Sequence, residues 1–277
     1  MLASLIIVFR EVLEAGLIIG IVLAATQGVA GRARWIALGI AGGVAGSCLV
    51  AASADVISAQ FADTGQEMFN ASVLLLAVLM LGWHNVWMAQ HGKELAREMN
   101  AVGREVSSGS RSLGALALVI GLAVLREGAE VVLFLTGILA SEEGGIATVA
   151  LGGAGGMALG AVVSALLYAG LLQIPTRHLF GVTTWLITLL AAGMAAQSVT
   201  FLAQAGVVTV GGAILWDTSA LLDETSMIGR TMHVLVGYTD RPTELQLIVY
   251  VTVVAAIALL TRWTRSLSDG RRVAAAR

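Results

Sequence analysis

The chain has 277 residues, of which 57% are hydrophobic and only 12% charged, with two prolines and a mean hydropathy of +0.88. Soluble domains carry about 25% charged residues, so a water-soluble globular protein is excluded and an integral membrane protein is implied. The net charge of −2 carries little information beside its distribution, no nucleic-acid partner is expected, and the single Cys48 excludes a disulfide framework or a cysteine-based metal site.

Seven segments are long and apolar enough to span a bilayer, at about 20 residues per crossing. They run over residues 2–25, 35–57, 69–91, 113–140, 147–172, 179–205 and 246–263. The first is interrupted at its middle by Arg10, Glu11 and Glu14. It lacks a positive leading region and a small-residue cleavage site, so it is expected to be a retained span and not a signal peptide. The second carries Gly39, Gly42, Gly43 and Gly46, a small-xxx-small spacing that close helix packing explains. The third ends in Trp83-His84-Asn85-Val86-Trp87-Met88-Ala89-Gln90-His91. Its Trp residues fit interfacial anchoring, and His91 falls at the cytoplasmic interface. His84 has two readings, an auxiliary ligand or proton acceptor, or a helix–helix hydrogen-bonding residue. Lys93 to Arg111 mixes both charge signs and reads as a solvated helix or loop.

The fourth span repeats the charged pattern as Arg126, Glu127 and Glu130, and the fifth repeats the glycine pattern at Gly152, Gly153, Gly155, Gly156 and Gly160. Between the sixth and seventh spans lies the longest connection, from about Gly206 to Glu244. Its acids, Asp217, Asp223 and Glu224 among them, either concentrate cations at a pore mouth or simply form an acidic outer loop. Its apolar stretches predict that it packs against the bundle or partly re-enters.

Basic residues set the orientation. With the N-terminus outside, the inner segments hold Arg32, Arg34, Lys93, Arg97, Arg104, Arg111, Arg177, Arg262, Arg265, Arg271, Arg272 and Arg277. The outer ones hold only Arg230 and Arg241, while Asp63, Glu67, Glu142, Glu143, Asp240 and Glu244 join the acids outside. Twelve basic residues against two predict an N-out, C-in arrangement.

The chain also resembles itself. Arg10-Glu11-x-x-Glu14 matches Arg126-Glu127-x-x-Glu130 at an offset of 116. Ala37 to Gly46 matches Ala150 to Leu159 at seven of ten positions, with an offset of 113. Ala89-Gln90-x-Gly92 matches Ala203-Gln204-x-Gly206 at 114. A three-span unit is odd-numbered, so its second copy must enter the membrane in the opposite sense. The expected fold is therefore all-α, with seven transmembrane helices: a 3+3 inverted repeat (about 1–92 and 113–206), an outer loop and seventh helix (207–263) and a cytoplasmic tail (264–277), in one domain over 1–277.

Six charges at mid-membrane are costly, at roughly 2.5–3.5 kcal/mol each on insertion scales, so they are expected to face one another, water or a cation. At about 100° per residue, each Arg and its two Glu project from one sector of the helix. Each Arg reaches the Glu four positions on, leaving the other Glu relatively free. Facing copies would supply four carboxylates against two guanidinium groups. That surplus suits a small, highly charged, hard cation, while the Arg residues keep binding weak enough for the ion to leave. The competing reading is a salt-bridge lock between two helices.

These residues resemble the oxidase-dependent iron transporters, or iron permeases, whose pattern is an Arg-Glu-Gly-Leu-Glu-like motif in the first and fourth spans. Here the motifs read Arg10-Glu11-Val12-Leu13-Glu14 and Arg126-Glu127-Gly128-Ala129-Glu130. Trp216 to Ser226, Gly237-Tyr238 and Pro242 are also similar to family sequence, so the resemblance covers essentially the whole chain. Val12 and Ala129 depart from the commoner Gly and Leu without touching a charged group. The resemblance implies iron uptake across the bacterial inner (plasma) membrane, with the motif glutamates Glu11, Glu14, Glu127 and Glu130 handling Fe(III); by their own chemistry Arg10 and Arg126 would position them. From the residues themselves and not from the resemblance, Asp217, Asp223 and Glu224 would form an entry shell and His84 an auxiliary group. Iron would be the transported substrate, with no prosthetic group and no enzymatic activity. Membrane lipid and an iron-oxidising or iron-delivering periplasmic or extracellular protein would be the partners, since the chain has no long extension of its own for capture. The rival readings are a transporter of another cation such as manganese or lead, and a membrane di-iron carboxylate enzyme. The latter would call for Glu-x-x-His where both motifs offer Glu-x-x-Glu. A proton-coupled anion carrier would need Arg to dominate.

Overall fold

The computed structural model describes residues 1–59, 65–141, 145–170 and 176–275. Asp63, Glu142, Glu143 and Arg277, which were counted in the charge comparison, lie outside the described residues. Eight helices make up the described architecture: α1 (Leu2–Ala25), α2 (Arg32–Ala59), α3 (Gln66–Ser107), α4 (Gly114–Ser141), α5 (Gly145–Tyr168), α6 (Thr176–Gln204), α7 (Met227–Val236) and α8 (Glu244–Ala275).

Five of these contain stretches long and apolar enough to cross a membrane: Arg32–Ser53, Gln66–Met88, Gly145–Tyr168, Gly181–Gln204 and Glu244–Thr264. α1 and α4 are of similar length, at 24 and 28 residues, but each holds three ionisable side chains near its middle. Interior and exterior are inverted relative to a water-soluble protein. Leu79, Trp83, Leu118, Leu151 and Leu259 are exposed, whereas Arg10, Glu11, Glu14 and Glu127 are buried. Hydrocarbon as solvent selects that arrangement, and helices satisfy their own backbone within it. The chain is an all-α integral membrane protein.

The helices pack through their glycines. α1 lies most extensively against α5, and α2 against α4. A Cβ on Gly39 would sit 2.7 Å from the Ala117 carbonyl oxygen, and one on Gly43 would sit 2.7 Å from that of Gly121. On α5, a Cβ at Gly152 would strike the Met1 carbonyl oxygen, and one at Gly156 that of Leu5. The two glycine pairs are 113 positions apart, and the carbonyls they meet, Met1 with Ala117 and Leu5 with Gly121, are 116 apart. These are the offsets at which the sequence resembles itself. Close packing, the reason inferred from the spacing, is what the glycines provide.

Two apolar clusters bracket the middle of the bundle. One joins Ile7 of α1, Leu81 of α3, Phe134 of α4, Val149 of α5, Ile187 of α6 and Ile257 of α8. The other joins Val22, Ile36, Val106, Leu116 and Ile120. Arg10 to Glu14, His84 and Arg126 to Glu130 fall between them along α1, α3 and α4. The site is thus a polar layer sealed above and below by hydrocarbon.

α3 continues well past the end of its apolar stretch at Met88, to Ser107, so most of the mixed-charge segment is helical. The far end is tied to α1, where the Ser107 hydroxyl donates to the Ala25 carbonyl at 2.8 Å. The long connection after α6 folds back on itself, with Leu215 N donating to Pro242 O at 3.0 Å and Thr218 N to Asp240 O at 2.9 Å. α7 begins at Ser226, whose hydroxyl accepts from Gly229 N, and ends at Gly237 in the left-handed region (φ 68°). Gly237 backs onto Gly193 of α6, so the connection is docked on the bundle, as its apolar stretches predict.

Replacing Gly43 by Ala should force α2 and α4 apart and destabilise the protein by about 1–3 kcal/mol, the usual range for overpacking. Gly42→Ala, with nothing within 4 Å of its added methyl, is the control and should leave thermal unfolding in detergent unchanged.

Candidate metal site

Helical periodicity places Arg10, Glu11 and Glu14 on one sector of α1, and Arg126, Glu127 and Glu130 on one sector of α4. The fold turns these sectors toward each other and toward α3, which contributes His84. Donor atoms of Glu11, His84, Glu127 and Glu130 all lie within 4.8 Å of one another. All four candidate carboxylates, both arginines and His84 come together in this layer.

The two arginines are not equivalent. Arg10 is 2% exposed and serves both glutamates of its helix, with Nη1 3.3 Å from Glu11 Oε1 and Nε 3.0 Å from Glu14 Oε1. Glu11 is therefore paired as well, contrary to the expectation that one glutamate per motif stays free; the guanidinium has enough N–H groups to span both. Arg126 keeps the i,i+4 pair, 3.2 Å from Glu130, with Glu127 at 3.9 Å. Its side chain is 35% exposed and lies over the Trp87 ring, 4.3 Å from the centroid. His91 stacks on Trp87 at a centroid separation of 4.9 Å. Trp83 faces outward, as an anchoring residue would, but Trp87 has a different role as a platform for a cation.

His84 bridges the two motifs. Its Nε2 is 3.4 Å from Glu14 Oε2, and its Nδ1 contacts Glu130 Oε2. The neighbouring Asn85 reaches toward Thr188 of α6, with Nδ2 3.5 Å from Oγ1. Oε2 of both Glu11 and Glu127 is buried without a hydrogen-bond donor. Buried carboxylate oxygens without donors are costly, and a cation removes that cost. Opposed oxygens around a divalent ion at about 2.0–2.6 Å are separated by about 4–5 Å, so the cluster has the dimensions of a coordination shell.

Asp217, Asp223 and Glu224 are not among these grouped donors. Asp217 is exposed and pairs with Arg241 at 3.0 Å. Hydrogen bonds from the Ser219 hydroxyl, the Ser219 amide and Arg241 hold its carboxyl down to about 2. Asp223 accepts from the hydroxyl and amide of Thr225, which lower it below the usual carboxylate range. Glu224 lies 3.0 Å from His233. All three are engaged in shaping the connection. Trp87 as the seat of Arg126 was missed in the sequence reading; its signal was the i,i+3 spacing that puts Trp87 on the same side of α3 as His84.

The Iron permease FTR1 family model matches residues 1–268. The chain is 30% identical over 250 residues to "Ferrous iron permease EfeU" of Escherichia coli O6:H1 (strain CFT073), covering 88% of each chain. It is 28% identical over 285 residues to the protein of that name from Yersinia pestis, covering 100% of this chain and 99% of the relative. No solved structure matches it. With outward apolar helices and a family match over nearly its whole length, this integral protein of a bacterial inner membrane belongs to the iron permease FTR1 family.

Proposed function

We propose that the chain moves iron across the inner membrane through the mid-bundle carboxylate layer. Glu11, Glu127 and Glu130 take the ion, Glu14 completes the acidic set, and Arg10 and Arg126 position the carboxylates. The observation that carries this reading is the pair of donorless buried oxygens, on Glu11 and Glu127, within a 4.8 Å cluster of donors. An arriving cation replaces guanidinium as the carboxylates' partner, and the guanidinium groups retake them when it leaves. Arg126 is the more mobile partner in this exchange, because only it is partly exposed and has Trp87 to rest on. A site with carboxylates alone would hold the ion too tightly to conduct.

The reading includes seven spans, an N-out, C-in orientation and an inverted 3+3 repeat. In its favour, α1·α5 and α2·α4 exchange under the repeat, and the glycine contacts recur at the same offsets. α1 and α4 then carry their ionisable residues across the membrane because each is shielded by the other. Asp217, Asp223 and Glu224 sit on the outer connection, where an iron-oxidising or iron-delivering protein would approach. A di-iron enzyme gains little support, since the layer offers one imidazole where paired Glu-x-x-His motifs offer two.

Glu127→Gln, which keeps the side chain's shape, should reduce iron uptake by cells or vesicles to background while the protein stays in the membrane at its normal level. Undiminished uptake would end the assignment. Trp87→Leu should slow uptake by about three- to tenfold, the scale of one lost cation–π contact, whereas Trp83→Leu, on the outward face, should not. For orientation, Ala220→Cys and Ser110→Cys, each in a Cys48→Ala background, can be treated with an impermeant maleimide. Ala220→Cys should label in intact cells and Ser110→Cys only after permeabilisation.

A further inference from the structure

His84 lies outside both repeated motifs, and the symmetry of the sequence does not require it. At the offset of 114 that aligns the third span with the sixth, its counterpart is Ser198. Ser198 is buried but tied to its own helix, its hydroxyl donating to the Ala195 carbonyl at 2.6 Å. The four motif carboxylates come in equivalent pairs. The imidazole comes from α3 alone.

We propose that His84 is a ligand of the transported ion, and that its nitrogen selects a divalent transition metal such as Fe2+ over Mg2+ or Ca2+. The inference rests on the carboxylate-layer reading above and adds the class of ion to it. Carboxylate oxygens by themselves suit hard ions such as Mg2+ and Ca2+, whereas imidazole suits iron and its neighbours. Metal-bound histidines almost always donate their other ring N–H to a carboxylate, which fixes the ring. His84 has a carboxylate within ion-pair distance of each ring nitrogen, so one can hold the ring while the other nitrogen meets the ion. Its Nε2 faces Glu14 at 3.4 Å, and its Nδ1 faces Glu130, one of the donors in the 4.8 Å group. Glu14 lies outside that group and acts as the positioning residue for the ring. The ring is 2% exposed, so its nitrogens are turned to these carboxylates and away from water.

The test uses the purified full-length protein in lipid nanodiscs, loaded anaerobically with one equivalent of Fe2+. X-ray absorption of the wild type should show the outer-shell scattering of an imidazole ring, and excess Mg2+ or Ca2+ should displace little Fe2+. In His84→Gln the imidazole pattern should vanish and the preference for Fe2+ over Mg2+ should fall by about tenfold or more, the scale on which one partner of a metal site is felt. A wild-type spectrum with oxygen ligands alone would overturn the proposal without any variant having to fold, and so would an unchanged preference in His84→Gln. Glu127→Gln separates the two failures. If it loses Fe2+ while His84→Gln keeps its preference, the histidine's role alone falls; if it binds Fe2+ like the wild type, the carboxylate layer falls with it.

Discussion

The mutual neutralisation of buried charges is the interaction on which this structure depends. Arg10, Glu11, Glu14 and Glu127 are almost completely removed from solvent, in a bundle whose other helices present leucine and tryptophan outward. No single helix can lower the cost of that burial enough, because each motif carries more carboxylate than guanidinium. α1 and α4 must therefore lie against each other, with α3 close enough to insert His84 between them. Even then the layer keeps a formal acidic surplus, and five of its buried carboxylate oxygens have no hydrogen-bond donor among the described residues, of which Oε2 of Glu11 and Oε2 of Glu127 have no ion-pair contact either. Under the proposed function, a passing cation makes good that deficit.

Close approach of the backbones makes that layer possible. Glycines on α2 and α5 let carbonyl groups of α4 and α1 come within van der Waals distance, so the charged helices are each gripped from behind by a glycine face. Apolar clusters flank the plane of the carboxylates on both sides, and the plane opens to its surroundings at Arg126. Low dielectric strengthens every ion pair inside and raises the cost of any group left unmatched.

Much of this was legible in the sequence, and for definite reasons. Charges in an apolar run are conspicuous because hydrocarbon penalises them, so Arg10 to Glu14 and Arg126 to Glu130 identified themselves. Glycine spacing announced tight packing for the same kind of reason. What could not be read was anything set by contact between distant segments. His84 read first as a helix–helix hydrogen-bonding residue and second as an auxiliary ligand, and only the placement of α3 brings it against Glu14 and Glu130. Trp87 was taken for an interfacial anchor, since composition does not say that Arg126 lies on its ring. Arg10 holding two glutamates depends on side-chain reach, which periodicity does not specify. Asp217 and Asp223 were conspicuous as acids in an outer loop, yet their oxygens are occupied by neighbouring amides and hydroxyls.

α3 carries a mechanical implication. It is one helix of 42 residues that holds His84 against Glu14 and, further on, packs Gly103 and Ser107 on Ala25 at the end of α1. Between those two contacts α3 runs 23 residues, about 35 Å of helix, whereas α1 runs 11, about 16 Å, so α3 cannot lie straight alongside α1. The continuous helix therefore ties the setting of the imidazole to contacts made at the far end of α1.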